Sequence, residues 1–242
     1  MKIFYDIDTQ RDFMNQDGAL YVPNAELIKP KLKELTSYAK KNNSFHIIGS
    51  VDRHFGTEEY KHREGELQRW GGPFPDHCMD KSFGIGKIEE TKLTYPDARG
   101  EFFRSEYYGF SNSFCHPHYL DERVDEKYLS KAIGFVCETK WSPDRKPGIF
   151  FEKQSYDIFT NPAFEVFLEK ANVKEAVVYG VATDYCVKAA VLGMQERGIQ
   201  CYVVEDAIKG VAPDATKQAL KEMTKVGAKF TTTKEVIEQY SR

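Results

Sequence analysis

Short apolar runs alternate along the chain with stretches in which apolar residues recur at helical spacing. The runs have the length of strands and are rich in β-branched and aromatic residues, which predicts buried β-strands. They lie at residues 3–8, 45–52, 148–153, 175–182 and 200–206, with a sixth at 229–233. Helices are predicted between them, at residues 25–41, 162–170, 214–226 and 234–240, and directly after Cys186.

This alternation predicts an α/β fold, a mostly parallel sheet of about six strands flanked by helices on both faces in three layers. We interpret residues 1–242 as a single domain. Residues 91–147 break the pattern, because they are aromatic and charged without a clear period. A loop of this length is usually functional. We therefore interpret it as an insertion that forms a lid or a subunit contact, with both ends near the functional site. Its histidines His116 and His118 are interpreted as part of a surface loop rather than a metal site.

Charge and cysteine content narrow the class of protein. The formal net charge is -3, so no basic field favours nucleic acid. Neither a long apolar run nor a signal-peptide core is found, which argues against a membrane partner. Five widely spaced cysteines without a CxxC motif predict reduced thiols and a cytoplasmic protein. A homo-oligomer remains open.

Reactive side chains follow the carboxyl ends of several predicted strands. Asp8 ends the first strand and Lys153 the third, and Cys186 lies on the turn between the fourth strand and the next helix. A helix start favours a thiolate and lowers a cysteine pKa. Each residue alone has a structural explanation: a packed thiol, a turn cap, a solvated lysine. Together, at the ligand-binding edge of a parallel sheet, they predict a cysteine amidohydrolase.

A second group of side chains predicts a metal site. Asp52 and His54 follow the second strand, and His77 follows a proline-bounded turn. One carboxylate and two imidazoles suit zinc, iron or manganese, with positions open for water or substrate. Water or one of three further side chains completes the shell: His62, Glu64 or Glu66.

Five motifs resemble those of the isochorismatase-like cysteine hydrolases, and among these the nicotinamidases. Residues 7–13 (IDTQRDF) are similar to V-D-x-Q-x-D-F, and residues 51–54 (VDRH) to the metal-binding D-x-H. Residues 74–78 (FPDHC) are similar to W-P-x-H-C, and residues 152–156 (EKQSY) to the segment of the catalytic lysine. Residues 180–187 (GVATDYCV) are similar to G-x-A-T-D-x-C-V. The resemblance covers residues 2–90 and 148–240.

The resemblance implies deamidation of nicotinamide to nicotinate and ammonia through a cysteine thioester, a step of NAD recycling. It implies Asp8, Lys153 and Cys186 as the triad, and the backbone N–H groups of Ala182 and Cys186 as oxyanion donors. It also implies a cis peptide bond before Ala182. One divalent ion, zinc or else iron or manganese, is implied at a site made by Asp52, His54 and His77. Phe13 and Phe74 are candidate aromatic walls for the substrate ring.

Three departures from the family pattern leave alternatives open. Phe74 replaces the usual tryptophan, Arg53 stands where an aromatic residue is common, and residues 91–147 are longer than expected. The first alternative is another amide or C–N hydrolase of the superfamily, such as one acting on N-carbamoyl compounds. The second is a non-catalytic α/β binding protein.

Overall fold

Parallel strands form one sheet in the part of the chain that the computed structural model describes, residues 1–93, 113–114, 126–138, 146 and 148–241. The spatial order is β3-β4-β2-β1-β5-β6-β7, and every neighbouring pair is parallel. The six predicted strands are confirmed, and a two-residue strand inside the insertion adds an edge. The strands are β1 Lys2–Ile7, β2 His46–Asp52, β3 Ser113–Phe114, β4 Gly148–Lys153, β5 Glu175–Val181, β6 Gln200–Lys209 and β7 Lys229–Thr231.

Helices cover both faces of the sheet, which confirms the predicted three layers. They are α1 Arg11–Met14, α2 Lys29–Lys41, α3 Glu126–Glu138, α4 Pro162–Lys170, α5 Lys188–Glu196, α6 Pro213–Lys225 and α7 Thr233–Tyr240. Alternate residues of β1 point to opposite faces. Phe4 packs in the core formed with α2 and α7, whereas Tyr5 packs in the core formed with α4, α5 and α6.

The order of strands places a crevice beside β1. The chain adds β2 on one side of β1 and later returns to add β5 on the other, so the connections diverge at β1 and β5. Such a switch point is where α/β sheets bind ligands. Gly180 allows β5 to approach β1 closely, since a Cβ there would lie 2.0 Å from the Ile7 carbonyl oxygen.

The insertion starts at Thr91, which contacts Thr9 beside Asp8, but its chain then runs to the opposite edge of the sheet from this crevice and returns there. Leu93 packs against Gly148, and Lys146 donates to the Ala39 carbonyl at 2.7 Å. Gly148 begins β4, whereas Lys153 ends it, roughly 17 Å away at the rise of a parallel strand. Our expectation that both ends lie near the site is therefore wrong for the carboxyl end. The chain must return to the amino edge before β4 can run parallel to β2.

Helix α3 belongs to the insertion and packs beside α4, with Leu129 buried in the core on that face. His116, His118 and the aromatic residues predicted to cover the site lie outside the described residues. In the part of the chain that is described, no helix has the length and apolar character needed to cross a membrane.

Candidate active site

The predicted triad comes together at the carboxyl edge of the sheet. Asp8 directly follows β1, Lys153 is the last residue of β4, and Cys186 lies in the helical turn Thr183–Val187 after β5. Lys153 is completely buried, and its Nζ lies 2.9 Å from Asp8 Oδ2 and 3.5 Å from Cys186 Sγ. Three strands that are distant in sequence thus deliver an acid, a cation and a thiol to one point.

Lys153 also forms an ion pair with Asp52, the last residue of β2. Burial by itself would lower the pKa of Lys153, but the charges of Asp52 and Asp8 raise it well above its ordinary value. The side chain is therefore an ammonium that joins the triad to the predicted metal ligand.

Asp8 is held by a residue that the sequence analysis missed. Ser50 Oγ donates to Asp8 Oδ1 at 2.8 Å, which leaves Oδ2 facing Lys153. Burial raises the pKa of Asp8, while Lys153 opposes the shift. The signal for Ser50 is the strand register, because β1 and β2 pair Ile7 with Ser50 next to Asp8.

Cys186 is buried, at 8% exposure, but it lines the pocket. Burial raises the pKa of its thiol well above the ordinary value, and Lys153 only partly opposes this. Our expectation that the helix start lowers this pKa is wrong for the resting site, because desolvation outweighs the nearby positive charge. Ala182, whose peptide bond to Val181 is cis as the resemblance implied, lines the same pocket.

The predicted metal ligands form one cluster beside the triad. Asp52, His54 and His77 lie together with Glu66, and one ligand atom from each residue lies within 4.8 Å of all the others. A short ladder brings His77 to the end of β2. The His54 N–H donates to the Cys78 carbonyl at 3.1 Å, and the Asp80 N–H donates to the His54 carbonyl at 2.6 Å.

The chemistry of this cluster fits a divalent metal ion. Both ring nitrogens of His54 are buried without a hydrogen-bond partner among the described residues, which is costly for a polar group unless a ligand satisfies it. Burial lowers the pKa of His54 to about 3, so the imidazole is neutral, as a metal ligand must be. His77 Nδ1 contacts the Pro75 carbonyl oxygen at 2.7 Å, which leaves Nε2 facing Asp52.

The structure separates the three candidates for the fourth ligand. His62 is exposed and lies outside the cluster. The Glu64 carboxylate accepts from the backbone N–H groups of Phe55 and Gly56 at 2.5 and 2.9 Å, so it holds the loop after His54. Glu66 is the fourth member of the cluster, and burial raises its pKa to about 7.

The pocket is mainly aromatic and aliphatic. Its volume is about 520 Å³, including space open to solvent. Both predicted walls line it: the Phe13 ring lies 5.4 Å from the His77 ring, and the Phe74 ring lies edge-on to Tyr185 at 5.4 Å. The charged side chains among its described lining residues are acidic, Asp52 and Glu66.

Comparison with solved structures shows the same fold in other proteins. The chain superposes on the zinc complex of the Pyrococcus horikoshii pyrazinamidase with a TM-score of 0.64 and 24% identity, over 96% of this chain and 98% of that one. It superposes on PnC1 from L. infantum, solved in complex with nicotinate, with a TM-score of 0.66 and 16% identity, over 97% of this chain and 93% of that one.

Sequence comparison gives shorter matches. Residues 135–235 match the isochorismatase domain family. Isochorismatase family protein 2A of Dictyostelium discoideum is 31% identical over 90 residues, 37% of this chain and 45% of that protein. The nicotinamidase of Escherichia coli (strain K12) is 38% identical over 64 residues, 26% of this chain and 30% of that protein. The chain thus spans less than half the length of these curated relatives. By its motifs, this domain match and its whole fold, the chain resembles the isochorismatase-like hydrolases, with nicotinamidases and pyrazinamidases among the proteins similar to it.

Proposed function

We propose that the protein is a metal-dependent amidohydrolase that converts nicotinamide to nicotinate and ammonia through a thioester on Cys186. One observation carries the proposal. A thiol and a carboxylate meet at one buried ammonium, Lys153, and the same ammonium pairs with Asp52 of the four-residue metal cluster. Cys186 and three residues of the metal cluster line one aromatic pocket, and Asp8 is buried beside them.

In the first half of the reaction, Asp8 accepts the thiol proton while Cys186 Sγ attacks the amide carbon. Because the resting thiol is protonated, a base is needed, and Asp8 is the carboxylate beside it. Lys153 stabilises the thiolate as it forms. The negative charge that develops on the carbonyl oxygen faces the backbone N–H groups of Ala182 and Cys186. The carbon–nitrogen bond then breaks, and Asp8 returns its proton to the departing ammonia.

In the second half, water cleaves the thioester. Asp8, again ionised, accepts a proton from the water as its oxygen attacks the thioester carbon. The carbon–sulfur bond breaks, the acid leaves, and the proton returns to the Cys186 sulfur. Lys153 holds its charge throughout, since its pKa is raised well above neutrality.

The metal ion would be held by Asp52, His54 and His77, with Glu66 as a further ligand. A mixed nitrogen and oxygen set suits zinc, with iron or manganese as alternatives. When bound, such an ion supplies a positive centre that can bind a ring nitrogen and acidify a water molecule. Around it, Phe13 and Phe74 enclose the ring and exclude bulk water.

The lining of the pocket favours an uncharged aromatic amide over an N-carbamoyl amino acid. A substrate carboxylate would need a cation to pair with, but the charged side chains of the described lining are Asp52 and Glu66. Lys153 is fully buried and already paired with two carboxylates. Nicotinamide is neutral and planar and therefore fits this lining. Because the proposed reaction converts nicotinamide to nicotinate, we place it in NAD recycling. Reduced thiols such as Cys78 and Cys201 fit a cytoplasmic location.

An ammonia-release assay over a small panel tests this proposal. Nicotinamide, pyrazinamide, benzamide and an N-carbamoyl amino acid are compared, each with and without a chelator. We expect turnover of the first two, and loss of it on chelation with recovery on adding zinc. Turnover of the carbamoyl compound alone, unaffected by the chelator, would assign the chain to the metal-free branch. Ammonia from none of them would favour a binding protein.

A further inference from the structure

Arg53 lies between two members of the metal cluster, Asp52 and His54, and its side chain reaches two other segments. Nε and Nη2 contact Asp80 Oδ1 at 2.9 and 2.7 Å. Nη1 donates to the two carboxylate oxygens of Glu152 at 3.0 and 3.1 Å. The planar guanidinium therefore bridges the segment after His77 and the end of β4.

The contact sets one cation, Arg53, between two carboxylates, those of Asp80 and Glu152. Glu152 is completely buried, and Arg53 and Asp80 are only 18% and 17% exposed at their side chains. A buried carboxylate needs a hydrogen-bonded cation, and a guanidinium can serve two carboxylates through its separate donors. Arg53 thus replaces the aromatic residue common in the family with a cation whose donors are taken up by two carboxylates.

The bridge joins the segments that carry three functional side chains. Arg53 immediately precedes His54, and Glu152 immediately precedes Lys153. Asp80 lies three residues after His77, on the strand-like segment that pairs with His54 through two backbone hydrogen bonds. The ion pair between Arg53 and Asp80 adds a further connection between the segment that follows His77 and the end of β2.

We propose that Arg53, clamped between Asp80 and Glu152, is a positioning residue that fixes His77 against Asp52 and His54 and so determines the affinity of the cluster for a divalent cation. The inference rests on the proposed metal site. Arg53 is a positioning residue rather than a catalytic one, because its guanidinium is engaged by Asp80 and Glu152 and it is not among the residues that line the pocket. Partners that orient metal ligands typically change metal affinity by about 10- to 100-fold when they are lost.

Asp80→Asn is the main test, because it removes the ion pair while it keeps the shape of the side chain. The zinc dissociation constant of the purified protein is measured by competition with a chelator. We expect affinity to fall by about tenfold or more, and Arg53→Gln to fall similarly. Arg53→Lys keeps the positive charge but not the planar guanidinium that reaches two carboxylates. Its zinc affinity should therefore lie between that of Arg53→Gln and that of the wild type.

Arg197→Gln is the matched control. Arg197 makes a similar contact with Glu165 at 2.8 Å, on the surface between α4 and the end of α5, away from the pocket. Its zinc affinity should stay within about twofold of the wild type, well below the change expected for a partner of the ligands. In the metal-free proteins, iodoacetamide should label Cys186 at the same rate in Asp80→Asn as in Arg197→Gln, since the clamp does not touch the thiol.

The outcomes separate the clamp from the metal site itself. If the wild-type protein binds no zinc, iron or manganese, the proposed metal dependence fails, and the clamp fails with it. If the wild type binds zinc and Asp80→Asn binds it equally well, only the clamp is overturned, even where the variant melts at a lower temperature. Should Arg53→Gln not fold, Asp80→Asn still decides the question.

Discussion

Two lysines are completely buried in the part of the chain that the structure describes, and each pairs with an aspartate of the first strand or its end. Lys153 pairs with Asp8, and Lys87 pairs with Asp6 at 2.6 Å. Lys87 also donates to Thr9 Oγ1 at 2.6 Å, and that hydroxyl contacts Thr91 at the same distance. The cluster around Lys87 is therefore closed and satisfied by its own hydrogen bonds.

The two ammonium groups differ in pKa because they differ in partners. Burial lowers the pKa of Lys87, and Asp6 only partly opposes the shift. Lys153 faces two carboxylates, whose charges outweigh the effect of burial and raise its pKa. It also touches a thiol beside an open pocket. A buried ion pair by itself is thus weak evidence of a site, whereas a second carboxylate, a nucleophile and a pocket together indicate chemistry.

The largest expected effect comes from replacing each lysine by methionine. Lys153→Met should reduce kcat/KM for nicotinamide by at least about 1000-fold, because the thiolate and both carboxylates lose their counter-charge. Lys87→Met should leave the kcat of the folded protein within about threefold, although it costs about 3–5 kcal/mol of stability through the unpaired Asp6. Steady-state kinetics measures the kinetic constants, and urea unfolding measures the stability. Equal losses of kcat in the two variants would contradict the different roles assigned to Lys153 and Lys87.

Chemical labelling of the thiols is the second prediction. Cys186 lines the pocket, whereas Cys78 and Cys201 are completely buried. Iodoacetamide at neutral pH, followed by mass spectrometry, should label Cys186 before Cys78 and Cys201, and Cys186→Ala should abolish turnover while the protein stays folded. Faster labelling of Cys78 in a protein that remains active without Cys186 contradicts the assigned nucleophile.

Ser50 is expected to have an intermediate effect. Ser50→Ala removes the hydrogen bond to Asp8 Oδ1, and hydrogen bonds to charged groups contribute about 1.5–3 kcal/mol. We expect kcat to fall by about tenfold or more, with KM little changed, because Asp8 loses its orientation rather than the pocket its shape. Ser50→Thr keeps the hydroxyl and serves as the control. If both variants retain wild-type kcat, Ser50 does not orient Asp8.

A smaller effect concerns the pH dependence of stability at Lys87. Its folded pKa is lowered, so between that value and the unfolded pKa of about 10.4 the unfolded state binds more protons. Lys87 therefore makes stability rise with pH across this window. Urea unfolding of wild type and Lys87→Met from pH 7 to 10.5 should show that the wild type gains on the variant as pH rises. A constant difference means that the folded pKa of Lys87 is not lowered.

The smallest kinetic effect is expected from the insertion. Residues 96–145 are replaced by a short Gly/Ser linker, which can close because Leu93 and Gly148 are in contact. Since Leu93 and Lys146, which flank the replaced residues, lie at the edge opposite the pocket, we expect kcat/KM to change by less than about twofold. The mass in solution reports whether the segment forms a subunit contact. A large rise in KM would instead support a lid.

The local pattern of residues was sufficient to predict the strands and helices. The strand Gly148–Lys153 and the helix Pro162–Lys170 were predicted to the residue. The first is a short apolar run, and the second begins at Asn161, whose side chain accepts from the Ala163 N–H, followed by Pro162. These signals involve neighbours in the chain, so they can be read without knowing the fold.

Contacts between residues that are distant in sequence could not be predicted in this way. Glu64 and Glu66 are two residues apart and chemically identical, yet one holds backbone N–H groups and the other joins the metal cluster. Which carboxylate faces the cluster depends on the path of the loop. Likewise, a pattern within 91–147 could not reveal that its ends meet at the amino edge of β4.

By itself, the sequence determined the parallel α/β arrangement and the positions of Asp8, Asp52, Lys153 and Cys186 at the ends of strands, because strand periodicity and strand ends are local properties. Only the tertiary arrangement shows that Ser50 and Glu66 join the site, that Arg53 pairs with two carboxylates, and that burial raises the pKa of the Cys186 thiol. These depend on which distant groups become neighbours and how much water they lose, since burial and partner charges together set the pKa of an ionisable side chain.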